Sequence, residues 1–237
     1  MALLNNYLND QLAQGQSTFS KAESRAALGL SSAAFDQAAN RLMKQQRLIH
    51  PKRGFYVILR PEDSITGAPD PIRWIDPLMR YLGIDYRISL LRAAAFHGAS
   101  HQAAMVFQVI VPKQLKAFKA GRHRLHFIYQ SPKAFAHTNQ GDWLARIKSD
   151  TGYAQVAGIE LTLLDAIRYY HACGGMNTVA QLVYDLGAQA RLRRLTDASK
   201  HYEDASVRRL GYLLELYGHE RQAEALIAAA SRAKSYK

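Results

Sequence analysis

Between Ser32 and Lys44 the chain reads SAAFDQAANRLMK. Its polar side chains are of the types that meet DNA. Asn and Gln can bond adenine edges, Arg can fork onto guanine, and Lys can neutralise phosphate. At about 100° per residue, Phe35, Ala38, Ala39 and Leu42 fall on one face of a helix, and Ala33, Gln37, Asn40, Arg41 and Lys44 on the opposite one. The first set can pack against neighbouring helices, and its alanines allow close approach. Ser32, Gln37, Asn40, Arg41 and Lys44 are the candidate DNA-reading residues. A solvated helix face can carry the same residue types, so the reading depends on the elements around it.

Those elements follow a recognisable order. Leu4, Leu8 and Leu12 recur every four residues, as on one helix face. Ser20-Lys21-Ala22-Glu23 fits a capping box and starts a short helix. Gly29 suits the left-handed residue after it, and Ser31 or Ser32 can cap the next helix. Leu48-Ile49-His50 and Phe55-Tyr56-Val57-Ile58-Leu59 read as strands around the turn Pro51-Lys52-Arg53-Gly54, which adds Lys52 and Arg53 as backbone-contacting candidates. Helix, helix, turn, helix, basic hairpin is the order of a winged helix-turn-helix, whose third helix enters the major groove. Residues 1–60 hold eight Lys/Arg against three acids.

Other chemistry finds little support. No Gly-rich nucleotide loop and no H-E-x-x-H occurs. "HGASHQ" has Gln102 where a nucleophile elbow needs Gly. His97 and His101 are four apart, but Gly98 should break their helix, and no third ligand is near. His123 and His126 are separated by an odd number in a strand pattern and point to opposite faces. Glu160 and Asp165 are poorly spaced for a carboxylate pair on a helix, so Glu160 reads as a cap and Asp165 as satisfied by neighbours. Cys173, the one cysteine, reads as a small buried residue. The expectation is a non-enzyme without cofactor or metal.

The 237 residues, 48% hydrophobic, suffice for one or two packed domains. A net charge of +12 favours an anionic partner. No signal peptide and no membrane-length apolar run is seen, which predicts a cytoplasmic protein. Residues 1–60 are expected as the DNA-binding domain, 61–77 as a linker punctuated by four prolines, and 78–237 as a second domain. In that domain Leu78–Phe96 reads as helical, "MVFQVIV", "HRLHFIY" and "GYAQVAG" as strands, and "IELTLLDAIRYYHAC" as a buried helix. From Met176 the pattern is helical to the end. The fold class is therefore α+β, mostly helical: an N-terminal winged helix-turn-helix, then a mixed α/β domain ending in a helical, bundle-like segment. Residues 112–148 carry eight Lys/Arg against one acid. Lys113, Lys116, Lys119, Arg122 and Arg124 are candidates for a second nucleic-acid or antitoxin surface, engaging RNA or extending the DNA contact.

The order of features resembles the AbiEi family, antitoxins of type IV toxin–antitoxin operons in abortive infection. The resemblance lies in Ser89-Leu90-Leu91 with Ala94, Gly98 and His101-Gln102, and in Thr162-Leu163-Leu164-Asp165 before Gly174-Gly175. Two positions depart from the family pattern: Ile159 stands where a Pro is frequent, and Leu161 where Lys or Arg is usual. The resemblance implies an N-terminal domain that binds operator repeats and represses its own operon. It implies a C-terminal domain that counteracts a nucleotidyltransferase toxin without a stable complex. The competing reading is a transcriptional regulator whose C-terminal domain senses a small molecule. An enzyme acting on nucleic acid has only the charge in its favour.

Overall fold

Ser20 closes the capping box that the sequence predicts. Its hydroxyl accepts from the Glu23 N–H at 3.1 Å, and the Glu23 carboxylate accepts from the Ser20 N–H at 3.0 Å. In the computed structural model, which describes residues 2–99, 106–149 and 151–235, this box joins strand β1 (Thr18–Ser20) to helix α2 (Lys21–Leu28). Helix α1 (Ala2–Ala13) precedes them. Gly29, at φ 62°, ends α2, and the Ser31 hydroxyl then caps α3 (Ser32–Lys44) by accepting from the Ala34 N–H. Strands β2 (Leu48–Lys52) and β3 (Phe55–Ile58) form the wing. The three-stranded sheet has the order β1-β3-β2, antiparallel throughout. This is a winged helix-turn-helix. Strand β1 has no signal in the sequence, because three residues are too few to show an alternating pattern.

The core of this part consists of Leu4 and Leu8 from α1, Phe19 from β1, Phe35, Ala39 and Leu42 from α3, and Leu48, Tyr56 and Ile58 from the wing. Burial of each large apolar side chain contributes about 1.5–3 kcal/mol. Tyr56 is the hinge of the packing. Phe19 stacks on it at 5.4 Å, His50 at 4.5 Å, and Phe35 meets it edge-on at 5.3 Å.

The chain divides into two units. The first is residues 1–85 with 116–126 and 147–154; the second is 86–115, 127–146 and 155–237. Residues 61–77, expected as a linker, hold two 3-10 turns, Pro61–Ser64 and Pro71–Arg73, and the start of α4 (Ile75–Leu82). Pro61 and Pro71 stand at the first positions of those turns, where a missing N–H costs nothing. Asp63, Ala68 and Trp74 are buried there.

The helical pattern from Leu78 to Phe96 proves to be two helices. Gly83, at φ 63°, ends α4, and the short strand β4 (Arg87–Ile88) intervenes before α5 (Leu90–Phe96). Gly98, at φ 88°, lies beyond the end of α5, as expected. The strands that follow are β5 (Val106–Val111), β6 (Phe118–Ala120), β7 (His123–Tyr129), β8 (Leu144–Ser149) and β9 (Gly152–Ala157). With β4 they form a sheet in the order β6-β7-β5-β4-β9-β8, in which β4 runs parallel to β9 and antiparallel to β5. Helix α6 (Pro132–Thr138) lies between β7 and β8.

In the second unit α7 (Ile159–Arg168) is buried along nearly its whole length. The helices α5, α8 (Met176–Leu186), α9 (Leu192–Ser199) and α10 (Asp204–Leu216) pack against it, and α11 (Glu220–Ser235) packs on α10 and α9. The buried segment "IELTLLDAIRYYHAC" is therefore α7 followed by a 3-10 turn, Tyr170–Cys173. Ser100, His101, Gln102 and Met105 lie outside the described residues.

Candidate nucleic-acid interface

Helix α3 presents the face that its sequence period assigns. Phe35, Ala39 and Leu42 are buried, whereas Ser32, Gln37, Asn40, Arg41 and Lys44 are all exposed. Ser31, not Ser32, supplies the cap, so the Ser32 hydroxyl is left for other partners at the helix N-terminus. The helix is held from behind and from one side. Lys21 pairs with Asp36 at 2.5 Å. The Arg25 guanidinium donates to the Leu30 carbonyl at 3.1 Å, stiffening the turn between α2 and α3. Arg47 bonds Asn9 at 3.0 Å. Several cations of residues 1–60 thus serve the fold. Among the described residues, no acid pairs with Arg41, Lys44 or Arg53.

The wing turn is built around His50. Its Nε2 accepts the Gly54 N–H at 3.0 Å, and Gly54 stands at φ 78°. Burial holds the His50 pKa below its usual value, which keeps that acceptor unprotonated at neutral pH. The wing tip is also braced within its unit. The Tyr81 hydroxyl donates to the Arg53 carbonyl at 2.9 Å. The Lys52 ammonium sits 4.7 Å from the Phe118 ring centroid, a cation–π contact that half-buries it. The Arg53 side chain is the exposed one.

Phe118 belongs to β6, which packs beside β2 in the first unit. In the β6–β7 hairpin Lys119 stands directly opposite Arg124. Side chains in register share one face of the ladder, and like charges placed so repel each other unless an anion lies between them. Lys116, Lys119, Arg122 and Arg124 are all exposed. Gly121 makes the hairpin turn at φ 55°, and the Arg122 N–H donates to the Thr66 carbonyl at 2.8 Å. The winged helix, the 61–77 segment and this basic hairpin are thus parts of one unit. Lys113, also exposed, belongs to the second unit.

The second unit centres on a buried ionic hub. Arg87, in β4, donates from Nε and Nη2 to the two oxygens of Asp165, in α7, each at 3.0 Å. The same carboxylate accepts from the Ser89 hydroxyl and the Tyr202 hydroxyl, both at 2.7 Å. Arg87 also donates to Gln130 at 2.9 Å and to Thr138 at 3.2 Å. Burial and the adjacent carboxylate push the Tyr202 hydroxyl well above its ordinary pKa. Burial drives Cys173 up to about 12. Glu160, in the first turn of α7, accepts the Arg191 N–H at 2.8 Å. His97 caps the end of α5, with its Nε2 2.7 Å from the Ala157 carbonyl. A satisfied Asp165 is expected from the sequence, but Arg87 as its partner is not. An Arg in a two-residue strand carries no periodic signal of burial.

Residues 87–216 match the family model of the AbiEi antitoxin C-terminal domain. The chain belongs to the AbiEi antitoxin family. Ser89 and Asp165, from the two stretches that carry the resemblance, meet in the hub of this AbiEi domain. The fold is also similar to the crystal structure of the RV2827C protein from Mycobacterium tuberculosis, with a TM-score of 0.65 over 97% of this chain and 82% of that one, at 15% identity. No curated protein matches the chain significantly. Among the described residues of this AbiEi chain no helix is long and apolar enough to cross a membrane, and no group of three or more His, Cys, Asp or Glu could hold a metal ion.

Proposed function

We propose that this AbiEi-family chain is the antitoxin and autorepressor of a type IV toxin–antitoxin operon, a cytoplasmic phage-defence system. Residues 1–60 are the DNA-binding module. Helix α3 enters the major groove of operator DNA, where Gln37, Asn40 and Arg41 read base edges and Ser32 and Lys44 contact the backbone. The wing adds Arg53 and Lys52. The second domain counteracts a nucleotidyltransferase toxin without forming a stable complex with it. The observation that carries the DNA reading is the exposed amide and cationic face of α3, beside a wing braced in place by Tyr81 and Phe118.

The basic hairpin extends the DNA contact. Lys116, Lys119, Arg122 and Arg124 belong to the winged-helix unit, and the Lys119–Arg124 pair favours an anion between the two side chains. Together with Lys113, these residues are also the candidates for an RNA-engaging antitoxin surface. Membership of the first unit favours duplex DNA for the hairpin.

The two jobs separate in one experiment. The chain is expressed with a reporter behind its own promoter, and in parallel with the neighbouring toxin gene. An Asn40→Ala/Arg41→Ala variant should lose repression and keep cells alive in the presence of toxin. Undiminished repression by that variant would overturn the assignment of α3. A charge-reversed Lys116/Lys119/Arg122/Arg124 variant should weaken repression. Loss of protection with intact repression would move the hairpin to the antitoxin surface.

A further inference from the structure

The second unit carries a row of three aromatic rings at its surface. Helix α6 ends with His137 near its last turn. The His137 ring lies parallel to that of His201, in the turn after α9, with centroids 5.4 Å apart and planes within 5°. Trp143, at the end of the 3-10 turn Gly141–Trp143, lies 5.4 Å from His201 on a tilt of 55°. Three separate segments of chain thus converge on one cluster of rings, a stacked histidine pair with a tilted indole beside it. His137 is exposed, and His201 and Trp143 are half-buried. The His137 ring is stacked against His201 and still exposed, and among the described residues no further ring meets it.

The row has the chemistry of a base-binding surface. Stacking on His, Tyr, Phe or Trp is the general way proteins hold unpaired bases, because every base offers a π-face. Burial first, then the neighbouring His137 and Lys200, lowers the His201 pKa, so the central ring is neutral at pH 7. Lys133, one turn before His137 on α6, is exposed. The other nearby charges largely cancel: Lys200 is paired with Asp197 at 2.7 Å, and Asp142 adjoins Trp143. Attraction here must come mainly from stacking, with little from phosphate neutralisation. Packing alone explains a buried ring pair. It does not explain why the outermost ring is left uncovered.

We propose that His137, His201 and Trp143 form a stacking platform for an unpaired purine base, carried by a single strand or a free nucleotide. The site lies wholly in the second unit and does not rest on the reading of α3.

The chain supplies its own reporter. It has two tryptophans, and Trp74 is fully buried in the first unit with its indole N–H bonded to the Pro69 carbonyl. Trp143 is the half-buried one, so quenching of its fluorescence reports on the platform. The full chain is titrated with hexa-adenylate RNA, with an abasic strand of equal length, and with ATP. Hexa-adenylate should quench, and the abasic strand should not. Quenching by ATP at comparable concentration assigns a free-nucleotide site; quenching by the hexamer alone assigns a single-strand site. His137→Ala should weaken hexamer binding about five- to 150-fold, the range of one lost stack. It should leave the melting temperature near that of the wild type, because His137 is exposed. His137→Phe keeps a ring and should retain binding even if the alanine variant folds poorly. Equal quenching by the abasic strand, no quenching by either adenine probe, or wild-type affinity in a folded His137→Ala variant would overturn the platform.

Discussion

Arg87 and Asp165, 78 residues apart, bond fork to fork with neither side chain exposed to solvent. Their contact ties the strand β4 to the central helix α7 and recruits Ser89, Gln130, Thr138 and Tyr202 around one pair of charges. Removing one partner of a buried pair strands the other charge, at a cost of about 3–5 kcal/mol. Arg87→Met and Asp165→Leu should each lower the urea-unfolding stability by that order. The double variant should cost clearly less than the two changes added together. Strict additivity would show that the pair is not coupled.

Cys173 gives a pH signature. Its folded-state pKa is raised from 9.0 to about 12 by burial. A raised folded pKa means that the contribution is fully present below pH 9 and is lost as pH rises toward 12. Above pH 9 unfolding releases this proton, so stability should fall by about 1.4 kcal/mol per pH unit from this group alone. Tyrosines buried with raised pKa values add to the fall above pH 10. Cys173→Ala should remove the part of the slope between pH 9 and 10. At pH 8 the folded chain should react with a thiol reagent far more slowly than the unfolded chain.

The legible part of this fold is the part written in local signals. The capping box at Ser20, the glycine at 29, the period of α3 and the Lys-Arg-Gly turn each specify their own structure, so the helices and the hairpin of the winged helix could be read residue by residue, though not its strand β1. The tail of the chain also reads correctly as helical. What the sequence does not display is long-range pairing. Arg87 resembles any surface arginine until β4 places it opposite Asp165. Lys52 reads as a wing cation, and only the tertiary neighbour Phe118, 66 residues away in sequence, shows that its ammonium rests on a ring. The four prolines of residues 61–77 suggest a linker, yet the segment turns twice and buries Trp74. The His137–His201–Trp143 row combines three unremarkable stretches and has no motif.

Gly121 holds the hairpin against the rest of its unit. It stands at φ 55°, and a Cβ there would collide with the Thr66 carbonyl and the Gly67 backbone. Neither atom can swing aside. Gly121→Ala should destabilise the first unit by about 2 kcal/mol or more, combining backbone strain with a steric clash. Calorimetry or denaturant unfolding measures it; a neutral outcome would mean that the hairpin is not held there in solution.

The wing cations should differ in how they sense salt. Arg53 is exposed, whereas Lys52 leans on Phe118. Each phosphate contact contributes about 0.9 to the slope of log affinity against log salt concentration. Arg53→Ala should flatten that slope by about one unit on operator and unrelated DNA alike. Lys52→Ala should flatten it less. Equal slopes for the two variants would show that the Lys52 ammonium leaves the ring to meet the backbone.

The most direct measurement is an equilibrium titration of the purified chain against its own upstream DNA and a scrambled duplex, at two salt concentrations. The upstream sequence should be preferred, and the preference should persist at the higher salt. Arg41→Ala should lose on the order of 1–3 kcal/mol on that sequence alone. Equal binding of both duplexes, or an Arg41→Ala variant that binds its upstream DNA as tightly as the wild type, would contradict base reading by α3.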